Sequence, residues 1–149
     1  MNDKYKILKE FETNLMYLQD ILTVNSTDNY QLQSLGSYLF NSGKKKPFMG
    51  VFPADKMPLL KNNEMCIVNT DDKSGIHWVG CYKYNNKTYC YDSFDRDCRS
   101  LSPHWKNKHN WVNANNDRDQ SYSAKTCGPY SVAWLMSFNI HTTKIISII

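Results

Sequence analysis

The pattern that most limits how this chain can fold is GIHWVGCYKY at 75–84, followed by Asn85-Asn86 and then KTYCYDSF at 87–94. Two runs rich in aromatic and β-forming residues flank two asparagines, a residue type that tolerates left-handed backbone. This predicts a β-hairpin with a two-residue turn. In that register Tyr84 faces Lys87, Tyr82 faces Tyr89 and Val79 faces Asp92. Side chains alternate along strands, so His77 and Val79 share a face with Asp92. His77 and Asp92 then become diagonal neighbours with Cα atoms roughly 7–8 Å apart, a gap an imidazole and a carboxylate can close. A four-residue turn would keep that parity and a three-residue turn would break it. A histidine packed near a strand-end aspartate by chance would look the same, so this pair alone does not define a site.

The rest of the chain supplies helices around this ribbon. Ile7, Leu8, Phe11, Leu15, Leu18 and Leu22 fall near helical spacing, NSTD at 25–28 offers a turn or cap, and Tyr30 to Phe40 reads as a second short helix. NSGKKKP from Asn41 is a surface loop. Pro47, Pro53 and Pro58 around FMGVFPADKMPLL predict broken structure there. EMCIVNT at 64–70 reads as a buried strand. Leu101 to Asn116 is Asn-rich and reads as irregular, and Ser131 to about Asn139 returns to helical register through Val132, Leu135 and Met136. At 149 residues and 41% apolar, the chain is long enough to bury a core as one domain spanning 1–149. The expected class is α+β, a small antiparallel or mixed sheet flanked by helices.

Charge and cysteine usage exclude several functions. A net charge of +4, with Lys44, Lys45 and Lys46 as the one tight basic run and a looser patch from Lys106 to His109, suits solvated loops and at most weak DNA contact. No run approaches the ~18 apolar residues of a membrane span. The N-terminus MNDKYKILKEFET is charged from its start and lacks a signal-peptide core, so a non-secreted protein is expected. Five cysteines (Cys66, Cys81, Cys90, Cys98 and Cys127) cannot all pair, and no Cys-x-x-Cys occurs, which disfavours a structural zinc.

Cys127 stands apart, at the junction between the polar stretch DRDQSYSAKT and an apolar run. A cysteine opening a helix faces unpaired N–H groups and the positive end of the dipole, conditions that favour a thiolate. Pro129 is tolerated in a first helical turn. Gly128 lets a substrate carbonyl approach the backbone. An oxyanion would sit against the Cys127 N–H, with the Gln120 amide as a second donor. The competing reading is a small buried residue, which free cysteines often are.

Taken together, HWVG at 77–80, YDSF at 91–94 and QSYSAKTCG at 120–128 resemble the adenovirus-type maturation proteases, which are related to the SUMO-specific proteases. The upstream FMGVFPADKMP is similar to copies carried by virophages and virus-like transposons. The resemblance implies a papain-like core in permuted order. It implies His77 as general base, Asp92 as the acid that orients it, Cys127 as nucleophile and Gln120 as oxyanion donor. Trp78 and Gly128 would line a narrow groove for glycine-containing substrates, although a strand tryptophan also fills cores. Asp92 matches the SUMO-protease branch, where adenoviruses carry Glu. Only 22 residues follow Cys127, fewer than in the adenovirus enzymes.

The expected function is therefore a cysteine endopeptidase that cleaves viral structural precursors in the virion, the host cytoplasm or a viral factory. It would act as a monomer without metal or cofactor. A deubiquitinating or deSUMOylating isopeptidase would use the same residues, and a non-enzymatic basic nucleic-acid-binding protein is the distant alternative.

Overall fold

A computed structural model describes residues 3–21, 29–70, 77–93, 96–100, 110–114 and 127–148. Leu22, the NSTD turn, the patch from Lys106 to His109 and the segment carrying Gln120 lie outside the described residues. The described chain is α+β, with three helices and a five-stranded mixed sheet. Helices α1 (Asp3–Ile21) and α2 (Asn29–Phe40) come first, then β1 (Phe48–Pro53), β2 (Met65–Asn69), β3 (Trp78–Tyr84), β4 (Lys87–Tyr91), β5 (Trp111–Asn113) and α3 (Cys127–Ile148). The strands lie side by side in chain order; β1–β2 and β4–β5 are parallel, and the two central pairings are antiparallel.

The hairpin has the register expected from its two asparagines. Tyr84 pairs with Lys87, Tyr82 with Tyr89 and Gly80 with Tyr91. Asn85 and Asn86 both take positive φ, 50° and 65°, as a two-residue turn matched to strand twist requires. Strand β2 is buried along nearly its whole length, as a central strand should be.

Three expectations need correction. The proline-bounded stretch forms β1 all the same, because Pro47 and Pro53 fall at its ends, where no ladder hydrogen bond is lost. Its register is interrupted between Phe48 and Val51, where Gly50 adopts φ of 131°. Within the segment read as irregular, Trp111–Asn113 pairs with β4 as a short strand. The last helix opens at Cys127, as expected, but runs past Asn139 to Ile148, with non-helical backbone at His141 (φ −118°, ψ 32°). The helical register read from the sequence therefore covers only the middle of α3.

The core has two parts, one on each face of the sheet. On one face α3 lies between the sheet and α1, burying Val132, Trp134, Leu135 and Phe138 against Met65, Ile67, Tyr82, Tyr89 and Tyr91. Tyr91 stacks on Trp134 with centroids 5.6 Å apart and planes 9° from parallel. Close approach depends on Gly80: a Cβ there would lie 3.1 Å from the Trp134 ring and 3.2 Å from the Ser131 carbonyl. Helix α1 presents a narrower stripe than its sequence suggested: Ile7 and Leu18 are buried, Phe11 and Leu15 half-buried, and Leu8 exposed. A helix that lies mainly on one other helix, with Phe11 reaching the Tyr91 ring of β4, needs only such a seam. The second face carries a smaller cluster of Leu60, Cys66, Val68, Val79, Cys81, Cys90, Cys98 and Trp111.

Candidate active site

His77 and Asp92 flank the hairpin ladder at its open end, immediately before β3 and immediately after β4. Extending the register by one pair sets Val79 opposite Asp92 and His77 diagonal to it. The two side chains meet, with His77 Nε2 and Asp92 Oδ1 2.5 Å apart. The backbone of His77 is fixed independently, because its carbonyl accepts the Thr70 N–H at 3.0 Å and so prolongs the β2–β3 ladder. The second Asp92 oxygen accepts from Arg96 Nε at 2.8 Å. Asp92 has no solvent exposure, and this arrangement supplies the polar partners that a buried carboxylate needs.

Cys127 arrives from the other core cluster as the first residue of α3. Its first helical turn grips one residue of β3 from both sides. The Trp78 N–H points at Cys127 Sγ at 3.4 Å, and Ser131 Oγ donates to the Trp78 carbonyl at 3.0 Å. Residues 127 and 131 are one turn apart, so they fall on one face of the helix. Gly128 and Pro129 complete that turn and are buried, and Pro129 displaces no helical hydrogen bond there.

The three groups are electrostatically coupled. Burial pulls the His77 pKa down, but hydrogen bonding to Asp92, hydrogen bonding to Cys127 and the charges of both raise it above its ordinary value. With Nε2 committed to Asp92, Nδ1 is the ring nitrogen left to exchange a proton with the sulfur. Cys127 and His77 retain only 5% and 3% exposure. The arrangement can generate a nucleophilic sulfur beside an oriented acid–base group.

Of the residues singled out from sequence, His77, Asp92 and Cys127 converge, and Gly128 lies beside the sulfur in the first turn of α3. The Trp78 ring belongs to the core, while its backbone reaches the sulfur. Gln120 lies outside the described residues. Arg96, Ser131 and Thr70 went unnoticed in the sequence. The first two sit four residues beyond Asp92 and Cys127, a spacing that could have flagged them. The other cysteines gather in the opposite cluster: Cys90 and Cys98 form a disulfide, and Cys66 and Cys81 face each other across β2–β3. Burial first, then hydrogen bonding to Cys66 and its charge, push the Cys81 thiol well above its ordinary range, which leaves it a poor nucleophile.

Among the described residues, no group of three or more metal-ligating side chains lies together and no helix is long and apolar enough to cross a membrane. Compared with protein-family models, curated proteins and solved structures, the chain gives no match.

Proposed function

We propose that the chain is a thiol hydrolase of the Cys-His-Asp type. Within that class we read it as a cysteine endopeptidase resembling the adenovirus-type maturation proteases, with a papain-like core in permuted order, cutting viral structural precursors at glycine-containing sites. The observation that carries the reading is the 2.5 Å contact of His77 with Asp92, made beside a cysteine that opens a helix.

In this mechanism His77 takes the Cys127 proton and the sulfur attacks the scissile carbonyl carbon. The Cys127 N–H, with Gln120 by resemblance, holds the oxyanion. The C–N bond breaks as imidazolium protonates the leaving amine. Water, deprotonated by His77, then cleaves the thioester and regenerates the thiol. The small exposure of Cys127 and His77 agrees with a narrow approach that favours substrates of little side-chain bulk.

The test is cleavage of a capsid precursor by wild type and Cys127→Ala. Wild type should release discrete fragments and the variant none; equal rates would end the proposal. A vinyl-sulfone probe built on a ubiquitin-like C-terminus should label Cys127 poorly. Efficient labelling would move the assignment to an isopeptidase. Salt-sensitive DNA binding that ignores alkylation of Cys127 would move it to a nucleic-acid-binding protein.

A further inference from the structure

Asp92 has two carboxylate oxygens, and His77 uses one. The other is clamped twice by one residue: the Arg96 backbone N–H donates to Oδ2 at 3.2 Å and Arg96 Nε donates to it at 2.8 Å. The acid has no exposure, whereas the Arg96 side chain keeps 28%, so the guanidinium reaches inward from the surface to meet it.

The fold holds this segment in place from several sides. The Cys90–Cys98 disulfide, with Cα atoms 6.2 Å apart, closes the chain on either side of Asp92 and Arg96. Beyond Arg96, the Cys98 N–H donates to Asn113 Oδ1 at 2.8 Å, and Asn113 Nδ2 donates to Asp97 Oδ1 at 3.3 Å. A side chain of β5 thus anchors the residues that follow Arg96.

We propose that Arg96 is a positioning residue for the Cys127–His77–Asp92 site, fixing the rotation of the Asp92 carboxylate so that Oδ1 stays on the imidazole. The consequence for rate rests on the thiol-hydrolase reading above; the effect on the ring does not. A carboxylate held through one oxygen rotates readily, because its terminal torsion is broad. Two donors on the second oxygen remove that freedom, and Arg96 supplies them with a charge that does not titrate. His77 is the titratable group on the acid's other oxygen, and Cys127 acts on the far side of that ring.

Charge and positioning predict opposite outcomes when Arg96 is removed. As a charge alone, Arg96 weakens the pull of Asp92 on the ring proton, so its loss would raise the His77 titration midpoint. As a clamp, it keeps Asp92 on the ring, so its loss lets burial dominate and the midpoint falls.

The experiment is an NMR titration of the His77 ring in the full chain for wild type, Arg96→Gln and Arg96→Lys, with kcat and KM measured on a precursor peptide. Arg96→Gln should lower the midpoint and reduce kcat roughly tenfold to a hundredfold, as a misplacement of about 1 Å can. KM should stay within about twofold, since no substrate contact is lost. Arg96→Lys keeps the charge but not the planar fork, and should fall between the two. It carries the same test if the Gln variant does not fold. An unchanged or raised midpoint in the variants overturns the proposal. If wild type cleaves nothing, the protease reading fails while the titration still decides the role of Arg96.

Discussion

The two faces of the sheet share the same strands and are built from different materials. Under α3, the strands present Trp78, Tyr82, Tyr89 and Tyr91 to Trp134 and Phe138, a layer of interlocking rings. Behind, alternate positions of the same strands present Val79, Cys81 and Cys90 to Cys98 and Trp111, a thin cluster tied by a disulfide. His77 and Asp92 belong by alternation to the thin face, whereas Cys127 belongs to the helix on the thick one. The candidate site is where the two layers meet, around the backbone of Trp78. The difference suggests a division of labour: the aromatic face anchors the sulfur, and the bridged face aims the acid.

The largest effect should come from breaking the aromatic face. Phe138 is fully buried, with ring centroids 4.8 Å from Trp134, 4.9 Å from Tyr82 and 5.1 Å from Tyr89. Phe138→Ala should cost about 3–5 kcal/mol of stability, read as a drop in urea midpoint. A loss under about 1 kcal/mol would mean that α3 is held by something else. Next in size is the thin face. Replacing Cys90 and Cys98 together by Ala should cost about 2–3 kcal/mol for a loop this short. The contrast lies in what survives. The bridge variant should keep the near-ultraviolet signal of the stacked Tyr91 and Trp134 while its turnover falls, because the Asp92–Arg96 segment is freed and the aromatic layer is untouched. If instead the aromatic signal collapses with the bridge, the two faces are not separable.

How much of this was legible in the sequence depends on how local the cause is. The Asn85-Asn86 turn and the alternation around it gave the hairpin register, and with it the meeting of His77 and Asp92, since both follow from neighbours in the chain. Strand β1 was hidden because its prolines dominate a local reading, while what holds it is distant. Asn41 donates to the Phe48 carbonyl at 2.8 Å and accepts its N–H at 3.0 Å, and Gln33 accepts the Val51 N–H at 3.0 Å. Side chains of α2 and the loop after it thus satisfy an edge strand whose outer side has no strand neighbour among the described residues. Strand β5, three residues long, is too short for any periodicity to register. Cys127 at a helix start was readable from the polar-to-apolar switch and from the resemblance. Arg96 went unread: its four-residue spacing from Asp92 is present in the sequence, but outside a helix that spacing belongs to no repeating pattern that would mark it as a clamp.

The smallest expected effect tests the seam between the faces through pH. In the unfolded chain the His77 ring should titrate near its ordinary value, about 6.5. In the folded protein its pKa is higher, because Asp92 and Cys127 together outweigh burial. The folded state therefore binds this proton more tightly than the unfolded state does. The associated stabilisation is fully present below about pH 6.5 and is lost as pH rises through the folded value. Urea midpoints should accordingly decline from mildly acidic to alkaline pH in wild type, and His77→Gln should flatten that part of the curve while leaving the aromatic face intact. The same raised pKa keeps imidazolium available to protonate a leaving amine above pH 6.5, so the alkaline limb of kcat/KM should lie higher than for an unpaired histidine. A midpoint curve with the same slope in both proteins would show that the ring gains nothing from its two partners on folding. The hairpin and α3 would then merely be adjacent at Trp78, without forming one coupled site.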